Sequence, residues 1–62
     1  MKRRDLINKL KASAKQRGLE YTEVEGGKHT KVGIGGKQTT VPRHNEIAEG
    51  TAKAILKQMG VE

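Results

Sequence analysis

The chain reads as an α+β domain of order α-β-β-β-α: a three-stranded antiparallel sheet with two helices packed on one face. Three observations predict this. An apolar stripe at helical spacing opens the chain, with Leu6, Ile7, Leu10 and Ala14. A broader stripe closes it, with Ile47, Ala48, Ala52, Ile55, Leu56 and Met59. Between them, short β-favouring segments are punctuated by two Gly-Gly pairs. The 62 residues make one domain, 1–62. A domain this small buries only about 60% of the surface its unfolded chain exposes. With no Phe, no Trp and one Tyr, its core is aliphatic. Such a core favours a stabilising partner or self-association.

The first helix is expected over 3–17. Lys9, Lys11, Lys15 and Arg17 fill its polar faces, Asp5 sits in the first turn, and the basic residues of the last turn suit the helix dipole. Gly18 follows as the C′ residue. Residues 19–25 lack a helical stripe, and Tyr21, Thr22 and Val24 favour a strand. Gly26-Gly27 makes a tight hairpin turn. Residues 29–34 then alternate, with Thr30, Val32 and Ile34 on one face and His29, Lys31 and Gly33 on the other. If Val32 and Ile34 face the core, His29 and Lys31 face away from it.

Gly35-Gly36 is a second turn, and residues 37–41 form a third strand. Pro42 cannot extend the ladder and holds Val41 extended. After a loop over 42–48, the second helix runs to about Met59, with Ile47, Thr51, Ile55 and Met59 spaced by four and Gly60 ending it. Gly50 weakens the early part, which puts the helix start near Glu49. Both helices cover the Val32/Ile34 face, leaving the opposite face open.

Charge narrows the function classes. Thirteen Lys and Arg against seven Asp and Glu give a net charge of +6. Residues 27–45 carry Lys28, Lys31, Lys37 and Arg43 and no acid, whereas Glu20, Glu23 and Glu25 crowd the preceding strand as solubility residues. A basic segment framed by an acidic strand points to a polyanion partner. Lys2, Arg3, Arg4, Lys9, Lys11 and Lys15 add cations that hold either an RNA backbone or a protein partner. The absence of cysteine removes disulfides and Cys-based metal sites, and two histidines without clustered acids make a poor zinc site. No signal-length apolar run or membrane span is present, so a cytoplasmic protein without metal or other cofactor is expected. The Gly-Gly pairs lack the Lys-Ser/Thr ending of a phosphate loop and are turns.

His29 is the residue with the most chemistry. RNA carries its own nucleophile, the 2′-hydroxyl, so cleavage needs proton transfer and charge stabilisation. Histidine performs either proton step near neutral pH. Lys28, Lys31 and Lys37 are candidates to stabilise the charged phosphorane. The hairpin register places residue 41 opposite a residue near 30, so Pro42 and Arg43 fall close to His29. Arg43 is then a candidate phosphate contact and His44 a second proton-transfer candidate. Either Thr39 or Thr40 shares the open face. The same features fit a non-catalytic RNA-binding module, or a domain whose basic face only docks an acidic protein.

Three motifs in order carry a family resemblance: Gly26-Gly27-Lys28-His29-Thr30-Lys31-Val32, Thr40-Val41-Pro42-Arg43-His44, and Ala54-Ile55-Leu56-Lys57-Gln58-Met59-Gly60-Val61. Together they resemble the HicA-type toxins, and the element order is similar to a small double-stranded-RNA-binding-domain-like fold. The resemblance covers nearly the whole chain. It implies an RNA-cleaving toxin, an mRNA interferase of a type II toxin–antitoxin pair. It also implies a catalytic histidine at the position of His29, and a HicB-type antitoxin that masks this face and through which an oligomer would form. Lys28 and Leu19 stand where many members have Ser and an aromatic residue.

Overall fold

A computed structural model describes residues 1–61. Its order is α1 (Arg3–Gln16), β1 (Tyr21–Glu25), β2 (His29–Ile34), β3 (Lys37–Pro42) and α2 (Glu49–Gln58). The sheet is antiparallel throughout, with β2 between β1 and β3. Alternation along β2 decides which face is buried: Thr30, Val32 and Ile34 point inward, while His29 and Lys31 are exposed. Val41 of β3 joins the buried face. Leu6, Ile7, Leu10 and Ala14 of α1 pack on it in one core cluster with Ala52, Ile55 and Leu56 of α2. Both helices therefore cover the same face, and the other is open. No helix among the described residues is long and apolar enough to cross a membrane.

Both helices end in the same way. Gly18 N–H bonds the Lys15 carbonyl and Leu19 N–H bonds that of Ala14; Gly60 and Val61 repeat the pattern on Lys57 and Leu56. This is the Schellman arrangement, and it needs the positive φ that Gly18 (66°) and Gly60 (76°) supply. It also corrects the expected boundaries. Arg17 is the C-cap of α1 rather than a helical residue, and Leu19 closes the cap instead of opening the strand, which starts at Tyr21. The Arg17 guanidinium reaches across to donate to the Met59 carbonyl at 3.1 Å, so one side chain caps the end of the other helix.

The N-terminus pairs with the loop that precedes α2. Lys2 forms an antiparallel bridge with Glu46. Arg3 N–H bonds the Asn45 carbonyl at 2.9 Å, and Ile47 N–H bonds the Met1 carbonyl at 2.7 Å. Ile47 is thus a buried residue of the loop over 42–48, outside a helix that starts at Glu49 as expected, although its spacing fits the apolar stripe of that helix. Thr51, assigned to the apolar stripe, is exposed. Pro42 does pair, opposite His29 at the end of edge strand β3, where a missing N–H is tolerated.

Candidate active site

The open face is laid out by the register. Val24, Lys31 and Thr40 form one row across the three strands, and His29 and Pro42 form the next row toward the β1–β2 turn. His29 lies at the start of β2 and is exposed, as are Lys28, Lys31, Arg43 and His44. Two surface depressions meet at His29. One, of about 400 Å³, runs toward β1 and includes Val24, Lys28, Lys31 and Thr40. The other, of about 280 Å³, is formed by Lys28, His29, Arg43 and His44. A proton-transfer side chain thus borders two hollows, each of them walled by at least one cation.

The turn that presents His29 is held from several sides. Gly26 N–H bonds the His29 carbonyl at 2.9 Å. The backbones approach so closely there that a Cβ on Gly26 would lie 2.8 Å from that oxygen, whereas one on Gly27 would meet nothing within 4 Å. Arg43 Nη1 donates to the Gly26 carbonyl at 3.0 Å, and Arg43 N–H bonds the Lys28 carbonyl at 3.4 Å. The other terminal nitrogen of Arg43, Nη2, lies 3.4 Å from Glu25 Oε2. Glu25 Oε1 accepts from Thr30 Oγ1 at 3.3 Å. The fully buried Thr30 hydroxyl in turn accepts from Arg3 Nη2, and Arg3 Nε donates to the Pro42 carbonyl at 3.2 Å. Arg3, Thr30, Glu25 and Arg43 therefore form a continuous polar chain. It runs behind the sheet and ties α1 to the three backbone segments around His29.

The structure gathers His29, Lys28, Lys31, Arg43 and His44, as the register argument expects. Thr40 is the threonine on the open face; Thr39 turns inward and donates to Gln58 Oε1 at 3.0 Å. Lys37 does not join them. It pairs with Ile34, five residues along β2 from His29 or about 17 Å at strand spacing. Its ammonium lies toward the end of α2, 3.2 Å from where a Gly60 Cβ would stand. As a cation facing a phosphate at His29, Lys37 is corrected by this placement.

Glu25 is another correction, because its carboxylate bridges Thr30 and Arg43 instead of serving solubility alone. The signal was in the hairpin: the Gly-Gly turn puts residue 25 opposite residue 30. Arg3 had no such local signal, since its partners lie 27 and 39 residues away. A larger depression, of about 610 Å³, lies along α1 and is lined by Lys2, Arg3, Arg4 and Lys11 together with Glu23 and Glu46.

Comparison with known proteins gives this arrangement a family. The family model described as the HicA toxin of bacterial toxin–antitoxin matches residues 3–61. The chain is 48% identical over 50 residues to a probable mRNA interferase HicA 2 of Photorhabdus laumondii, covering 77% of this chain and 83% of that protein. It is 40% identical over 57 residues to the probable mRNA interferase toxin HicA of Escherichia coli K12, covering 84% and 98%. A probable mRNA interferase HicA of Pseudomonas fluorescens is 40% identical over 50 residues, covering 77% and 82%. No solved structure gives a significant match. The family match spans both helices and all three strands, including His29 and the loop opposite it, and the chain belongs to the HicA toxin family.

Proposed function

We propose that the protein is a metal-independent endoribonuclease that cleaves single-stranded RNA, chiefly mRNA, and acts as a growth-inhibiting toxin. The observation that carries the reading is the position of His29, exposed on the open face between two cation-walled hollows, in a family whose relatives are named mRNA interferases. The substrate supplies its own nucleophile. One group removes the proton of the ribose 2′-hydroxyl, and that oxygen attacks the adjacent phosphorus. The P–O5′ bond breaks, and the departing 5′-oxygen takes up a proton. The products are a 2′,3′-cyclic phosphate and a 5′-hydroxyl. His29 performs one of the two proton transfers, and His44, which borders the same hollow, is the candidate for the other.

Lys28 and Lys31 stabilise the charge that builds on the phosphoryl oxygens. Arg43 already spends both terminal nitrogens on Glu25 and the Gly26 carbonyl, so its first role is to hold the turn; any phosphate contact shares that guanidinium. mRNA as substrate puts the site of action in the cytoplasm. A HicB-type antitoxin neutralises the toxin by binding the open face, which the exposed cations suit to an acidic partner surface.

The test is RNA cleavage with EDTA present, run on the parent and on His29→Ala prepared in parallel. Cleavage by the parent alone, leaving 2′,3′-cyclic ends, is expected. Equal activity in both would remove His29 from the chemistry. RNA binding by both, with cleavage by neither, would instead favour a non-catalytic RNA-binding module.

A further inference from the structure

Val24 is the feature of the open face that proton transfer and phosphate binding leave unused. It is 61% exposed, although it is a β-branched apolar residue on a face otherwise lined by Lys31, Thr40 and His29. A single exposed valine is ordinary. Its place is what makes it informative. Val24 lines the hollow whose other wall is His29, and Lys31 and Thr40 stand beside it in the same cross-strand row. That row is two residues along β2 from His29, about 7 Å at strand spacing. A single nucleotide spans such a distance.

The two hollows that meet at His29 differ in chemistry. The one formed with Lys28, Arg43 and His44 is polar and cationic, suited to phosphate. The one beside Val24 shares Lys28 and also holds Lys31 and Glu25, but it adds an apolar patch, a threonine hydroxyl and the peptide groups of Gly27; those of Gly26 are already bonded to His29 and Arg43. A nucleobase has that same combination, an apolar face with hydrogen-bonding edges.

The geometry points to the Val24 hollow as a base subsite: it holds the nucleobase on one side of the scissile phosphate, with Val24 against the ring face and Thr40 and the Gly27 backbone at its edge. The inference rests on the ribonuclease reading, and it makes Val24 a substrate-contacting residue that tunes which nucleotide is cut. An apolar contact without an aromatic plane is shallow, so selectivity is modest and comes from the edge groups.

The test uses oligonucleotides with one ribonucleotide in a deoxy background, so that a single linkage is cleavable. In two further versions, the base on one or the other side of that linkage is removed. Parent, Val24→Thr and Val24→Ala are compared. Threonine keeps the shape and strand preference at an exposed position, so unchanged melting temperatures are expected. With the parent, loss of one flanking base should lower kcat/KM about ten-fold and loss of the other should matter little. Both variants should cut the intact substrate less well and lose most of the distinction between intact and abasic.

Affinities of His29→Ala and of His29→Ala/Val24→Thr for the same set give the answer without catalysis. There, removal of the critical base should weaken binding of the first protein and not of the second. Val24 variants that discriminate as the parent does, in cleavage or in binding, would overturn the subsite and leave His29 chemistry standing. So would a Val24→Thr protein that handles RNA normally and binds only its protein antagonist more weakly. Failure of the parent to cleave any substrate would strike the ribonuclease reading, and the affinity series would still decide the base contact.

Discussion

A Cβ at Gly26 would stand 2.8 Å from the carbonyl oxygen of His29, and neither atom can give way without moving the backbone that aims the imidazole. Gly27, one residue on, has open space. Gly26→Ala should therefore lower the single-turnover cleavage rate about 100-fold, the scale on which a 1 Å misplacement acts. Gly27→Ala should leave it nearly unchanged. Equal effects in the two would mean that the turn does not position the histidine. Arg43 allows a second separation. Lysine keeps the charge but not the two-pronged reach to Glu25 and Gly26. If Arg43 mainly holds the turn, Arg43→Lys lowers kcat while the dependence of RNA affinity on salt keeps its slope. If it is instead a phosphate ligand, Arg43→Ala flattens that slope by about 0.7. At this scale the sequence was readable where alternation rules. His29 and Lys31 had to share a face once Val32 and Ile34 were inward, and Thr30 opposite Val41 carried Arg43 to the site. Lys37 was misplaced because nearness in sequence across a hairpin turn says nothing of which end of the strand a side chain occupies.

Among the elements, α1 has two tasks. Leu6 and Leu10 are fully buried against the sheet, and Arg3, one turn earlier, reaches Thr30 and Pro42. Leu10→Ala should cost about 2–5 kcal/mol by cavity formation, a large share of the stability of so small a domain. Denaturant unfolding would register it as a lower midpoint with an unchanged slope. The β1 strand has its own reporter in Tyr21, the chain's one tyrosine. Burial, followed by its hydrogen bond to Glu23 at 2.8 Å, pushes the phenol well above its ordinary value of 10.0. The folded state then holds its proton where the unfolded state has lost it. Stability from this source is complete below pH 10.0 and declines as pH rises beyond that. An alkaline absorbance titration should show no tyrosinate before the chain unfolds; a native-state transition near the ordinary value would contradict it. The elements themselves were legible because each has a period or a glycine stop. The Lys2–Glu46 bridge and the pairing of Ile47 with Met1 were not, since they join residues more than 40 apart and leave no local pattern. Ile47 even mimicked the helical spacing of α2 while standing outside it.

At the scale of the whole molecule, the placement of charge bears on how far the bound RNA extends. The net charge of +6 does not discriminate, because cations lie both on the open face and along α1. Lys28 and Lys31 border the His29 hollow, whereas Lys2, Arg4 and Lys11 line the α1 depression together with Glu23 and Glu46. Counterion release turns this into a number. Each neutralised phosphate of a single strand contributes about 0.7 to the slope of log affinity against log salt. Two phosphates at the open face give a slope near −1.4; two more along α1 bring it to about −2.8. Between 50 and 200 mM salt these correspond to losses of about 7-fold and about 50-fold in affinity. The measurement belongs on His29→Ala, so that substrate survives the titration. We expect the steeper slope, with Arg4→Gln/Lys11→Gln reducing it toward the shallower one; with His29 intact, the same two substitutions should leave cleavage of a trinucleotide too short to reach α1 unchanged. A shallow slope in the parent would confine recognition to the few nucleotides around His29. The two acids at the α1 depression would then fit a surface that deflects the RNA chain, and the cations beside them would be free to serve a protein partner.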